Sequence, residues 1–374
     1  MRRRIAIFAV FAAFFLVLLL NPVTGAVDTK AIDAVLNKAV LDSRDRQIID
    51  DFIAQAVAEL VKTRDFTSVS LARSVILRKR SKQPQYAAQF SSSARKYISS
   101  GFEQALELNS ESRQFRIMLN LLILIDGLED LQLVDLAIER LNDANTSICY
   151  WAVHSITNAG ITEQLSSDPA ANMKLAVRIA QALEKLVDRC SPETLPMMVE
   201  FAGAVKVSQA EKLLLRITDM RIKKYAEWSV EKELMDAAIL RALFNKISSG
   251  RAGESTVARR FAQLYSYAIQ RYYIGRDFLS ESQKQHLISI LVEAESSYIS
   301  KLLGEPPQLA VRIKRALERN DYAALLLEHN RLLGDKTRAG QLGLKLKFDY
   351  GQNSDGTKRI EPLALPRPPS TIGK

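Results

Sequence analysis

Apolar residues recur at spacings of three and four along most of this chain, the period of a helix that buries one face. Ala31, Val35, Leu36, Ala39 and Val40 form one such run, and Ile53, Val57, Leu60 and Val61 another. Asp65 and Thr67 interrupt it, a further helix is expected over 68–80, and after Pro84 and Ser91–Ser93 the pattern returns over 94–108. From Ser112 the pattern reads as helical hairpins. The run 115–125 stops at Asp126-Gly127, and 131–141 presents Leu133, Val134, Ala137, Ile138 and Leu141 on one side. A turn at 142–145 follows, with Thr146 or Ser147 placed to cap the next helix. Ile148, Trp151, Ala152, Ser155 and Ile156 share a face of that helix, which ends at Asn158-Ala159-Gly160. Further helices are expected over 171–187, 195–205, 208–228, 234–247, 257–273, 281–303 and 310–333.

The last stretch differs. Leu342, Leu344, Leu346 and Phe348 alternate with other residues, which suits a short strand. Residues 351–356 read as a loop. Residues 361–374 carry Pro362, Pro366, Pro368 and Pro369, and are expected to be an extended, mobile tail or a peptide ligand for another domain.

The pattern Leu141-x-Asp143-x4-Ile148-x3-Ala152-x3-Ile156-x3-Gly160 resembles the second half of a HEAT repeat. Small residues on such a hairpin let paired helices approach closely, and stacking buries faces that one hairpin leaves wet. The resemblance covers 131–160 and departs at Cys149, where the family usually carries the Arg of the charged ladder between repeats. It implies an all-α chain: an irregular α-solenoid of HEAT-like hairpins, with a compact all-α bundle as the alternative. The expected organisation is a signal peptide over 1–26, an N-terminal helical region over 27–111, a repeat region over 112–340 and the strand or loop and tail over 341–374.

The N-terminus changes the picture most. Arg2, Arg3 and Arg4 precede an unbroken apolar run from Ile5 to Leu20, then Pro22 and the small residues Thr24-Gly25-Ala26. That is the layout of a cleaved secretory signal, and the run is shorter than the roughly 20 residues of a spanning helix. The chain is expected to be exported, to a periplasm or an extracellular space, with an uncleaved anchor as the alternative. The net charge is +10, and about +7 without the three signal arginines. Such an excess suits an acidic protein, anionic lipid or polysaccharide. Export argues against nucleic acid.

Only Cys149 and Cys190 occur, about one hairpin apart, so they are candidates for a disulfide or for unpaired small core residues. His154, His286 and His329 have no second His or Cys at metal-ligand spacing, and HExxH, CxxC and GxSxG patterns are missing. Gly250-Arg251-Ala252-Gly253 lacks the Lys of a phosphate loop. Asp126, Glu129 and Asp130 share one inter-helix loop, where solvated or capping carboxylates are expected rather than a glycosidase pair. No cofactor or metal is implied.

Two surfaces could bind. Tyr265, Tyr272 and Tyr273 lie among Arg259, Arg260 and Arg276, which suits sugar stacking, cation–π contact or a protein hot spot. The same spacing would equally make Phe261, Tyr265 and Ile269 a buried stripe. Arg78, Lys79 and Arg80 could touch anionic headgroups, or complement the end of their own helix. The expectation is a non-enzymatic, exported scaffold that binds a protein or an envelope component. The alternative is an envelope-associated carbohydrate-binding protein or hydrolase using 259–278.

Overall fold

The structure, a computed structural model, describes residues 29–63, 65–250, 254–306 and 311–368. The expected signal peptide lies outside these residues. Every regular element described is helical, as the 3.6-residue period requires, and among the described residues the only ladder contacts are isolated bridges at Gly334–Ala339 and Gln352–Lys358. No helix among the described residues is long and apolar enough to cross a membrane. The chain divides into two compact units between Ala137 and Ile138, within the stretch that resembles HEAT.

The first unit contains α1 (Lys30–Val35), α2 (Ser43–Lys62), α3 (Phe66–Arg78), α4 (Pro84–Leu106), α5 (Glu111–Leu128) and most of α6 (Val134–Ile138). Asp42 opens α2 with a reciprocal capping box to Asp45, and Pro84 starts α4 where its missing N–H costs nothing. α2 packs against α3 and α4, and α5 packs against α3 and α4.

The second unit contains α7 (Thr146–Thr157), α8 (Ala159–Ser167), α9 (Met173–Glu184), α10 (Leu195–Ala204), α11 (Ser208–Ala226), α12 (Met235–Ser248), α13 (Glu254–Ile274), α14 (Glu281–Ala294), α15 (Ser300–Leu303), α16 (Arg312–Glu318), α17 (Tyr322–Leu333) and α18 (Gln341–Leu346). Asn145, not Thr146 or Ser147, caps α7 through its side-chain oxygen. A π-helical turn over Glu295–Ile299 joins α14 to α15. The expected single helix over 310–333 is split, because Asn320 adopts φ 51° and Asp321 caps α17 through Ala324 N. α9 packs on α11 and α11 on α13, while α10 packs on α12 and α12 on α14.

Two expectations at the C-terminal end are overturned. The Leu342–Phe348 run is not a strand but α18, in which Leu342, fully buried, and Leu346, half-buried, stand four residues apart on one helical face. A run this short fits either period, and packing against α13, α15 and α17 decides for the helix. Gly340 makes that approach possible, since a Cβ there would lie 2.2 Å from the Leu333 carbonyl carbon. The tail is also packed rather than free as far as Pro368: Pro362 and Leu365 are buried.

Candidate functional site

α13 is the helix on which the second unit is organised. It contacts α11, α12, α14, α17 and α18, and every residue from Phe261 to Ile269 is buried. This corrects part of the expected binding surface. Tyr265 is fully buried, with its hydroxyl donating to the Leu291 carbonyl at 3.3 Å, and Tyr272 is buried against Tyr322. Burial pushes both phenols upward, that of Tyr265 far above its ordinary range. Neither can meet a ligand without opening the core. Arg259 and Arg260 are half-buried, and Arg260 pairs with Asp219 of α11. The most exposed of these residues lies at the end of the stretch: Arg276 stands over the rings of half-buried Tyr273 and Tyr322, at 6.0 and 5.2 Å.

The basic cluster of the first unit is engaged within that unit. Lys79 Nζ pairs with Asp33 at 2.5 Å, Arg80 donates to the Gly127 carbonyl at 2.9 Å, and Arg78 donates to the Ser74 carbonyl of its own helix. Cys149 and Cys190 are not bridged. They are free thiols that donate to the carbonyls of Leu141 and Val187. Burial raises both thiols above their ordinary range, which disfavours the thiolate that disulfide exchange requires.

The arrangement that stands out lies along one side of α13, where the tail is held. Gln263 Oε1 accepts from Leu363 N at 2.9 Å, and Gln263 Nε2 donates to Leu363 O at 3.3 Å. Two helical turns on, Gln270 Oε1 accepts from Leu365 N at 2.6 Å and Gln270 Nε2 donates to Leu363 O at 3.1 Å. Trp228 Nε1 donates to Pro366 O at 2.8 Å. The indole is wedged between the Phe278 ring, 5.1 Å away, and the Arg271 guanidinium at 5.3 Å. Buried Glu233 pairs with Arg271 at 3.4 Å and takes a further hydrogen bond from Gln283.

Gln270 also leads inward. Its Nε2 donates to Ser266 Oγ at 2.8 Å, Ser266 Oγ stands 2.8 Å from His329 Nε2, and His329 Nδ1 lies 3.0 Å from Asn330 Oδ1. Ser266, His329 and Asn330 thus have the spacing of nucleophile, base and orienting group. Ser266 has no exposed surface, however, and His329 is 6% exposed, so a substrate carbonyl has no approach to Oγ. The chain works as a hydrogen-bond relay that fixes the Gln270 amide.

Burial pushes the His329 imidazole below its ordinary value of 6.5, against a smaller opposing effect of Asn330. Neutral His329 donates from Nδ1 to Asn330 and accepts at Nε2 from Ser266. Below 6.5 the unfolded chain takes this proton more readily than the folded one. Its stability contribution is complete above 6.5 and is lost as pH falls toward the folded value. Urea unfolding from pH 7 downward should show that loss, with a slope of at most about 1.4 kcal/mol per pH unit from this group. His329→Gln should flatten that part of the profile; an unchanged slope in the variant would refute the assignment.

Among the described residues, no group of three or more His, Cys, Asp or Glu is placed to hold a metal ion. No protein-family model, curated protein or solved structure matches the chain. The residues that hold the tail were not singled out by sequence reasoning. The available signal was a pair of glutamines seven residues apart in a helix rich in aromatic residues, together with a Pro-Leu-rich end.

Proposed function

We propose that this protein is an exported, non-enzymatic helical-repeat scaffold whose second unit binds a polypeptide partner. The observation that carries this reading is the engagement of an extended chain segment along α13 through main-chain contacts to Gln263, Gln270 and Trp228. Packing of α9 on α11 on α13, and of α10 on α12 on α14, supports two rows of helices of the kind an irregular α-solenoid of HEAT-like hairpins builds. Leu326, Leu327 and Leu344 stand exposed on α17 and α18, which pack together, and add apolar surface of the kind found at protein interfaces. Export rests on the arginine-led apolar run at the N-terminus.

Capture from native envelope extract at low and high salt, with the mature chain as bait, tests the proposal. A stoichiometric polypeptide is the expected result, and its loss at high salt would assign the contact to the basic surface. Recovery of glycan or lipid with no polypeptide would overturn it in favour of a carbohydrate- or lipid-binding role. Stacking of Arg276 on Tyr273 and Tyr322 is the observation that keeps this second reading open.

A further inference from the structure

The chemistry of the tail contact is more specific than a packed terminus requires. Between 362 and 368, Pro362 and Leu365 are buried and Pro368 is half-buried, whereas Leu363, Ala364, Pro366 and Arg367 are exposed. Burial every third residue is the signature of a polyproline-II helix, which has three residues per turn. Such a helix makes no internal hydrogen bonds, so its N–H and C=O groups remain open to side chains. A glutamine offers one acceptor and two donors and can serve both kinds of group at once. Gln263 and Gln270 do so, and the groups they and Trp228 use are Leu363 N, Leu363 O, Leu365 N and Pro366 O. None of these is a proline nitrogen. Prolines at 362, 366 and 368 therefore forfeit no contact, and they pre-set the backbone for binding.

Trp228 is held at a conformational cost. It follows the C-cap of α11 with φ +58°, and the bonds Trp228 N to Tyr225 O and Ser229 N to Lys224 O form a Schellman motif. Glycine is the favoured residue at this position, and a bulky side chain at positive φ is an outlier worth explaining. The left-handed residue presents the indole N–H to Pro366 O. The receptor side is also ordered independently of the tail. Ser266 and His329 orient the Gln270 amide, and Arg271 and Phe278 flank the indole. The tail's root is anchored separately, through Tyr350 N to Arg359 O, Arg359 N to Gly351 O and the Gln352–Lys358 bridge.

We propose that α13 and Trp228 form a receptor groove for a polyproline-II segment of the pattern Pro-x-x-Leu-Pro. The C-terminal segment is its intramolecular occupant and competes with a separate polypeptide carrying the same pattern. This rests on the scaffold reading and adds to it the class of ligand and an autoinhibitory control. The tethered segment acts at an effective concentration on the order of millimolar, which sets the competition a partner must overcome. A second copy of this chain would bring the same tail and no added contact, so a distinct partner with its own flanking residues is the occupant favoured.

The test uses the full mature chain and a labelled synthetic peptide of residues 359–368. Leu365→Asp places a charge on the buried face of the segment and should eject it without altering the groove. The variant is expected to bind the peptide at least tenfold more tightly than the unaltered chain, and the peptide carrying the same change should not bind. Trp228→Phe in the ejected background should weaken binding about tenfold, the fold-change of one good hydrogen bond. A folded Leu365→Asp chain that fails to bind, or equal binding by both chains, overturns the proposal. Should that variant not fold, hydrogen exchange on the unaltered chain decides. Leu363 and Leu365 amides should exchange without global unfolding, and exchange only with the core of α13 would overturn it. A concentration-dependent dimer of the unaltered chain in sedimentation would overturn the choice of occupant in favour of tail exchange. Capture of a polypeptide partner alongside failed peptide binding would leave the scaffold reading standing and remove this one.

Discussion

Replacing Arg221 with alanine is expected to cost about 3–5 kcal/mol, the range for removing one partner of a buried ion pair. Both partners are withdrawn from water, Arg221 at 2% exposure and Asp236 at 0%. The guanidinium grips the carboxylate with two bonds, Nε to Oδ1 at 2.7 Å and Nη2 to Oδ2 at 2.9 Å, and Nη1 donates to Glu231 O at 3.0 Å. Burial, the largest single effect, would lower the Arg221 pKa, but the Asp236 charge and hydrogen bonds together with Tyr225 and Glu233 outweigh it and the net direction is upward. Truncation leaves a buried carboxylate with the Tyr225 hydroxyl, 2.7 Å from Oδ2, as its remaining side-chain donor. Urea unfolding at pH 7 of Arg221→Ala, Asp236→Ala and the double variant should show the double costing clearly less than the two singles together. A loss below about 1 kcal/mol in Arg221→Ala would mean that water reaches the pair and that the clamp is weaker than its geometry. The clamp joins α11 to the first turn of α12 across the segment that carries Trp228. Its loss should therefore also weaken the hold on Pro366.

Most helices were legible because the three-and-four spacing is a local rule, although α8 and the first half of α4 were not expected. The spacing in α7 is written within a dozen residues, but two boundaries differ from expectation: Pro84 starts α4 rather than interrupting the pattern before 94, and Asn158, expected as a stop, also caps α8. What else was not legible depends on contacts distant in sequence. The partners Gln263 and Leu363 are 100 residues apart, and Trp228 and Pro366 are 138 apart. A proline-rich end has the same composition whether or not a groove awaits it, so composition suggested mobility where main-chain contacts give order. The Tyr/Arg stretch failed as a surface for a related reason. Its aromatic spacing fits a buried stripe or a binding face equally, and the choice is made by how many neighbours surround α13. Nothing in the local sequence marks what Arg271, Gln263 and Gln270 contact. In the fold, Glu233, two aromatic faces and the tail backbone take the place of water.

That distinction between stripe and surface yields the other large effect. Tyr265→Ala should cost about 3–5 kcal/mol, as truncation of a large aromatic inside a closed core does. The ring lies near-parallel to Phe261 with centroids 6.4 Å apart, on the segment of α13 where all residues from 261 to 269 are buried. The cavity left by truncation therefore has close neighbours on every side and little freedom to collapse. Tyr265→Phe isolates the hydroxyl and should cost no more than about 1 kcal/mol, since its bond to Leu291 O is long at 3.3 Å and neutral. Tyr273→Ala is the matched contrast. Half-buried and edge-on to Tyr322 at 6.1 Å, it loses mainly one aromatic pair, worth about 0.5–1.5 kcal/mol. Urea denaturation of the three variants ranks them directly. Equal losses in Tyr265→Ala and Tyr273→Ala would sink the division of this helix into a buried body and a solvent-facing end. The expected ranking instead leaves Tyr273 and Arg276, with Tyr322 of α17 beside them, as the surface open to a ligand, while Tyr265 keeps α13 in register so that Gln263 and Gln270 face the tail.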